Sequence, residues 1–131
     1  MRLPVIALAL AACGSAVAAQ QTALAPENSP MDWILAIIDG QPAAASATLN
    51  LERPGWITGQ APCNGYSARL DAEGAGFLPG PILSTKRACD DLRAENAYFE
   101  ALQGVESAEE VSGTLTLTGP DHVLVFSRPV E

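Results

Sequence analysis

Cys63 and Cys89 are the residues best placed to do chemistry, with Glu95, Thr85 and His122 behind them. The cysteines stand 26 positions apart, and the chain holds only one other, Cys13 near its start. A redox couple normally uses a Cys-x-x-Cys spacing, which activates one thiol through the other. A structural zinc site needs four closely spaced ligands, and the chain has a single histidine. A disulfide is the remaining use and the one favoured in an exported chain of this size. On the chain-entropy model, closing that loop is worth about 3.5 kcal/mol.

Glu95 is the sharpest of the other candidates. On a helical wheel it falls between Phe99 and Leu102, inside an apolar face, where a carboxylate must find donors. The plainer reading makes it a buried acceptor for backbone N–H groups from the Cys63-Asn64-Gly65 or Thr85–Cys89 loops. The functional reading makes it a carboxylate lining a ligand cleft. Asn64 reads as a turn former whose side chain ties its own backbone, and Thr85 as a hydrogen-bonding strand end. His122 follows a Gly-Pro-Asp turn and reads as an exposed loop histidine. An enzyme would need Glu95, Thr85 and His122 in one open cleft. The Lys86-Arg87 pair reads as solvated rather than as an anion site. Trp33 and Trp56 read as core or rim packing, because no run of basic residues accompanies them.

The N-terminus points to export. Residues 1–19 run from a basic start through an apolar stretch to small residues, the layout of a signal peptide. The apolar stretch is about half the length that a membrane-spanning helix requires. Cleavage before Gln20 is one outcome. The other follows from Leu10-Ala11-Ala12-Cys13, which resembles a lipobox, with maturation at an acylated Cys13. Residues 20–30, with Pro26 and Pro30, read as a tether, and residues 31–130 as one domain.

The chain is acidic: fifteen Asp and Glu face seven Lys and Arg, for a net charge of −8. Nucleic acid and anionic lipid are poor partners for such a chain. Its order of elements is mostly short strands. Residues 33–38 are apolar on both faces, and Asp39-Gly40 turns the chain. Ala47, Leu49 and Leu51 then alternate with polar residues, as do Tyr66, Ala68 and Leu70. Residues 56–59 form a further strand. Phe77-Leu78 and Ile82-Leu83 flank a Pro-Gly-Pro bend. Residues 90–104 break the pattern: an acidic start, no proline and a closing glycine predict a helix. Its expected apolar face comprises Leu92, Tyr98, Phe99, Leu102 and Val105. Residues 109–111, a Ser112-Gly113 turn, Leu115 with Leu117, and residues 122–126 complete seven or eight strands. The fold class is α+β, mostly antiparallel and barrel-like, with one helix packed on the sheet.

The ordered set of these residues resembles the META domain family, which includes the HslJ-like heat-shock proteins. The matching residues are Trp33, Gly59 ahead of Cys63-Asn64-Gly65-Tyr66, Thr85 ahead of Cys89, the 95–102 helix segment with Glu95, Tyr98, Phe99 and Leu102, and the closing Leu115, Leu117, Leu124 and Phe126. Gln60-Ala61, Pro62 and Gly65 depart from the pattern, which bears on the loop shape. The resemblance implies a compact β-rich domain in the periplasm, anchored at the outer membrane where a lipoprotein is made. It implies a role in envelope stress, with no catalytic residues, cofactor or metal. On this reading the protein is a monomeric, non-enzymatic envelope protein acting by binding or scaffolding, with an envelope protein as partner. The alternative is a carrier enclosing a small hydrophobic ligand or lipid, in a cavity lined by Trp33, Leu35, Tyr66 and Phe99. If a site exists, the corner formed by Asn64, Tyr66, Thr85 and Glu95 is its expected place.

Overall fold

The computed structural model describes residues 31–128. The expected leader, Cys13 and the tether lie outside the described residues. The apolar run Trp33–Ile38 forms β1 at the heart of a six-stranded antiparallel sheet. Its neighbours are β2 (Gln41–Pro42), β3 (Thr48–Leu49) and β10 (Val123–Ser127), followed by β9 (Thr114–Thr118) and the edge strand β8 (Ser107–Val111). A second antiparallel sheet contains β4 (Trp56–Gln60), β5 (Gly65–Asp71), β6 (Leu78–Pro79) and β7 (Leu83–Ser84).

Alternation decides which side chains enter the core. Leu115 faces Phe126 and Leu117 faces Leu124 across β9 and β10, and all four are buried. Each such side chain contributes about 1.5–3 kcal/mol on leaving water. The β8–β9 hairpin closes through Ser112 and Gly113, both at positive φ (47° and 80°), the twist that a two-residue antiparallel turn requires.

The helix α1 (Leu92–Gln103) packs Tyr98, Ala101 and Leu102 inward, with the Tyr98 ring edge-on to Phe126 at 6.4 Å. One expectation for it changes. Leu92 lies outside the core at 38% exposure, because the first helical turn overhangs the 84–88 segment instead of the sheet. Gly104 caps the helix as expected, at φ −93°, an ordinary right-handed conformation.

The described residues contain ten strands, where seven or eight were expected. The bent 77–84 region supplies two separate two-residue strands, β6 and β7, and β2 is a two-residue pairing that no expected segment covers. The 47–51 segment also buries Thr48 alongside Leu49, since its hydroxyl and carbonyl both find partners inside. The barrel is not closed by continuous ladders. Single bridges, Asn50 with Thr58 and Gly76 with Ser107, join the two sheets at either side.

Gly59 shows why one bridging region demands a glycine. A Cβ there would lie 2.2 Å from the Thr48 carbonyl oxygen and 2.9 Å from the Tyr66 ring. Tyr66 donates its hydroxyl to that same carbonyl at 2.7 Å. Gly59→Ala is therefore expected to cost about 2 kcal/mol through overpacking, read as a lower urea midpoint at unchanged slope.

Candidate functional site: the clipped corner

The β4–β5 connection, Ala61-Pro62-Cys63-Asn64, is a tight loop held by the Ala61 N–H on the Asn64 carbonyl at 2.8 Å. Opposite it, the chain leaves β7, passes Thr85, Lys86 and Arg87, and enters α1. Cys63 and Cys89 join the two segments as a disulfide, with Cα atoms 5.7 Å apart.

Glu95 lies beneath this clip at 2% exposure. Its Oε1 accepts the N–H groups of Cys63 and Asn64, each at 2.8 Å. Its Oε2 accepts the Asn64 side-chain amide at 2.7 Å. A buried carboxylate is tolerated when such donors replace its water. The helix thus uses Glu95 to hold a loop 31 and 32 residues away.

Asn64 differs from the local turn former expected. Its amide donates to Glu95 and to the Arg87 carbonyl (3.0 Å), while its Oδ1 accepts the Thr85 hydroxyl (2.8 Å) and the Arg87 N–H (2.6 Å). All four hydrogen-bonding positions of the side chain are used, and every partner is distant in sequence. The reason is the register of the 85–87 segment, which runs beside the loop and leaves its own peptide groups facing Asn64. Thr85 behaves as expected of a strand end, with its N–H on the Gly65 carbonyl at 3.2 Å.

Tyr66 completes the corner from below. Because its proton goes to the Thr48 carbonyl, the 2.6 Å contact between the two tyrosine hydroxyls has Tyr98 as donor. Burial, first of all, pushes the Tyr66 and Tyr98 phenols above their ordinary range. The rings of Tyr66, Tyr98 and Phe99 touch edge-on or tilted, at 5.4–5.9 Å. Trp33, Leu35 and Tyr66, expected around a carrier cavity, are packed in this core.

A surface recess of about 300 Å³ opens beside the corner, lined by Ser84, Lys86, Arg87, Leu92, Asn96 and Phe99 among others. Leu92, Asn96 and Phe99 share one helical face, which explains what the exposed Leu92 does: it forms a wall. Lys86 and Arg87 are exposed at the rim. The corner itself has no idle polar group, so its chemistry is cohesion. Among the described residues, no cluster of three His, Cys, Asp or Glu could hold a metal.

His122 does not join Thr85 and Glu95. Its Nδ1 pairs with Asp39 at 2.7 Å and its Nε2 lies 3.6 Å from Glu100. Asp39 also accepts the Val123 N–H at 2.8 Å, linking the β9–β10 turn to the one after β1. The hydrogen bond to Asp39 raises the imidazole pKa above the usual 6.5, and the hydrogen bond from His122 lowers the Asp39 carboxyl below 3.8. The raised histidine contributes stability in full below pH 6.5 and loses it as pH rises through its folded value. The lowered aspartate contributes above pH 3.8 and loses it as pH falls through its folded value. Titration of the His122 ring by NMR should give a midpoint above 6.5, moving back toward it in Asp39→Asn.

Trp33 is buried, with the Arg128 guanidinium 4.1 Å above its ring. Trp56 is half-buried and has two basic neighbours that the linear sequence did not suggest: Arg53 at 4.3 Å and Arg69 at 4.9 Å from its ring.

Comparison with known proteins places this architecture. A search of curated proteins finds no match. The NMR structure of a protein from Burkholderia xenovorans superposes with a TM-score of 0.59 at 20% identity, covering 86% of this chain and 97% of its own. The crystal structure of a DUF4847 family protein from Bacteroides vulgatus gives 0.59 at 14% identity, covering 78% and 94%. These identities establish likeness of fold alone. The model of the META domain matches residues 27–131, which include all of the described residues, and the chain belongs to the META domain family.

Proposed function

We propose that this protein is an exported, non-enzymatic envelope protein that supports stress tolerance by binding a partner on a rigid, disulfide-clipped domain. The observation that carries the reading is the division of labour at the corner. Glu95 and Asn64 spend their hydrogen bonds on the loops, while Lys86, Arg87 and Leu92 beside them face solvent around a recess. A rigid frame with an adaptable rim suits recognition, and no nucleophile and base meet there. A disulfide between the cysteines accords with an oxidising compartment. The signal-like residues 1–19 accord with the periplasm, and Cys13 with an outer-membrane lipid anchor. A carrier of hydrophobic ligands is the weaker reading, since the tyrosine and phenylalanine rings fill the space it would need.

The test is complementation in a deletion strain under heat or envelope stress. The full chain should restore tolerance, a copy lacking residues 1–19 should not, and a folded Lys86→Glu/Arg87→Glu copy should restore it poorly. Full rescue by the leaderless copy would overturn export, and full rescue by the charge-reversed copy would overturn the rim as the binding surface. Mass spectrometry of the mature N-terminus separates the two processing outcomes: a peptide starting at Gln20 removes the anchor, and an acylated Cys13 establishes it.

A further inference from the structure

The register of the second sheet assembles a surface that no stretch of sequence announces. Directly paired residues of an antiparallel ladder share a face. Trp56 pairs with Arg69, Ser67 with Leu83, and Asp71 with Leu78. Since Ser67, Arg69 and Asp71 alternate on β5, these six side chains occupy one face, the one turned away from buried Tyr66 and Ala68. Leu83 is 63% exposed and Leu78 50%, among the most exposed large apolar residues of the described domain. Arg69 stands between them: it lines an open recess of about 280 Å³ with Trp56, Pro81 and Leu83, and another of about 370 Å³ that includes Leu78.

Arg53 and Arg69 both lie over the Trp56 ring, and among the described residues neither has a carboxylate within ion-pair distance. In a chain of net charge −8, two unpaired guanidiniums beside an indole form a local reversal of sign. Asp71 is the one acidic side chain on this face by register.

We propose that this face docks on an anionic membrane surface, with Leu78, Leu83 and Trp56 entering the headgroup boundary and Arg53 and Arg69 meeting lipid phosphates. Indole and guanidinium side chains suit that boundary, one end apolar and the other wet. An exposed face with two open recesses needs no shape-matched partner there, whereas a peptide ligand needs a groove. Charge complementarity fixes the orientation, because the rest of the acidic domain is repelled. The proposal stands apart from the corner's reading, and the variants that test it leave the corner intact.

The experiment is co-sedimentation of the chain beginning at Gln20, the product of ordinary signal cleavage, which lacks Cys13 so that no acyl chain contributes, with vesicles of phosphatidylglycerol and phosphatidylcholine or of phosphatidylcholine alone. Binding should require the anionic lipid, weaken with salt, and fall roughly thirtyfold in Arg53→Gln/Arg69→Gln, which removes two surface cations. Leu83→Ser should weaken binding while leaving its salt dependence in place. Tryptophan emission should shift to the blue on binding, and not in Trp56→Phe. Equal binding to both vesicle types, unchanged binding by the double-arginine variant at an unchanged melting temperature, or capture of a soluble acidic peptide with no vesicle binding would each overturn the proposal.

Discussion

Glu95→Ala is expected to lower stability by about 3–5 kcal/mol, because it strands three N–H donors in a buried corner at once. A domain of this size loses about 4–8 °C for each kcal/mol, so the melting temperature should fall by about 15 °C or more. Glu95→Gln should fall by roughly half as much. It retains one carbonyl oxygen for the Cys63 and Asn64 amides, but turns an NH₂ toward the Asn64 side chain, donor against donor. The graded order Glu, Gln, Ala in thermal melts is the signature of a buried acceptor. A carboxylate held for ligand chemistry would give melting temperatures that hardly change, or that rise when the charge is removed.

The second large effect comes from the clip. Cys63→Ala/Cys89→Ala should cost about 3.5 kcal/mol, the loop-closure entropy returned to the unfolded chain. The native state keeps its hydrogen bonds through Glu95 and Asn64, so the reduced protein should remain folded at moderate temperature and give a native-like spectrum. Denaturant melts with and without reductant measure the difference. If reduction unfolds the protein outright, the disulfide carries the corner and Glu95 is secondary. Loss of less than about 1 kcal/mol would mean that the unfolded chain already holds these segments together.

Much of this was legible because one-sided burial imprints a period of two. Leu115 with Leu117 and Tyr66 with Ala68 each announced an inward face, and the structure buries all four. Glu95 was legible for the opposite reason: a charged residue within an apolar helical face must have donors, and the Cys63-Asn64 loop was among the expected sources. Asn64 was misread because an asparagine beside a turn has a local use, whereas its partners here are set by the packing of residues 85–87. Leu92 was misread because a wheel shows the side of a helix but not what lies over its first turn. The grouping of Arg53 and Arg69 about Trp56 depends on cross-strand register, which composition and local charge counts do not carry.

The corner is a structural clasp in which one buried carboxylate and one amide hold two loops. Native-state hydrogen exchange at the amides of Cys63, Asn64 and Arg87 tests it most directly. All three sit in loops and donate to the side chains of Glu95 and Asn64 at 2.6–2.8 Å. Protection should be close to that of the core strands, as for the amides of β9 and β10, and should be lost at Cys63 and Asn64 in Glu95→Ala while those strands stay protected. Rapid exchange of the three amides in the unaltered protein, as in an open loop, would contradict it.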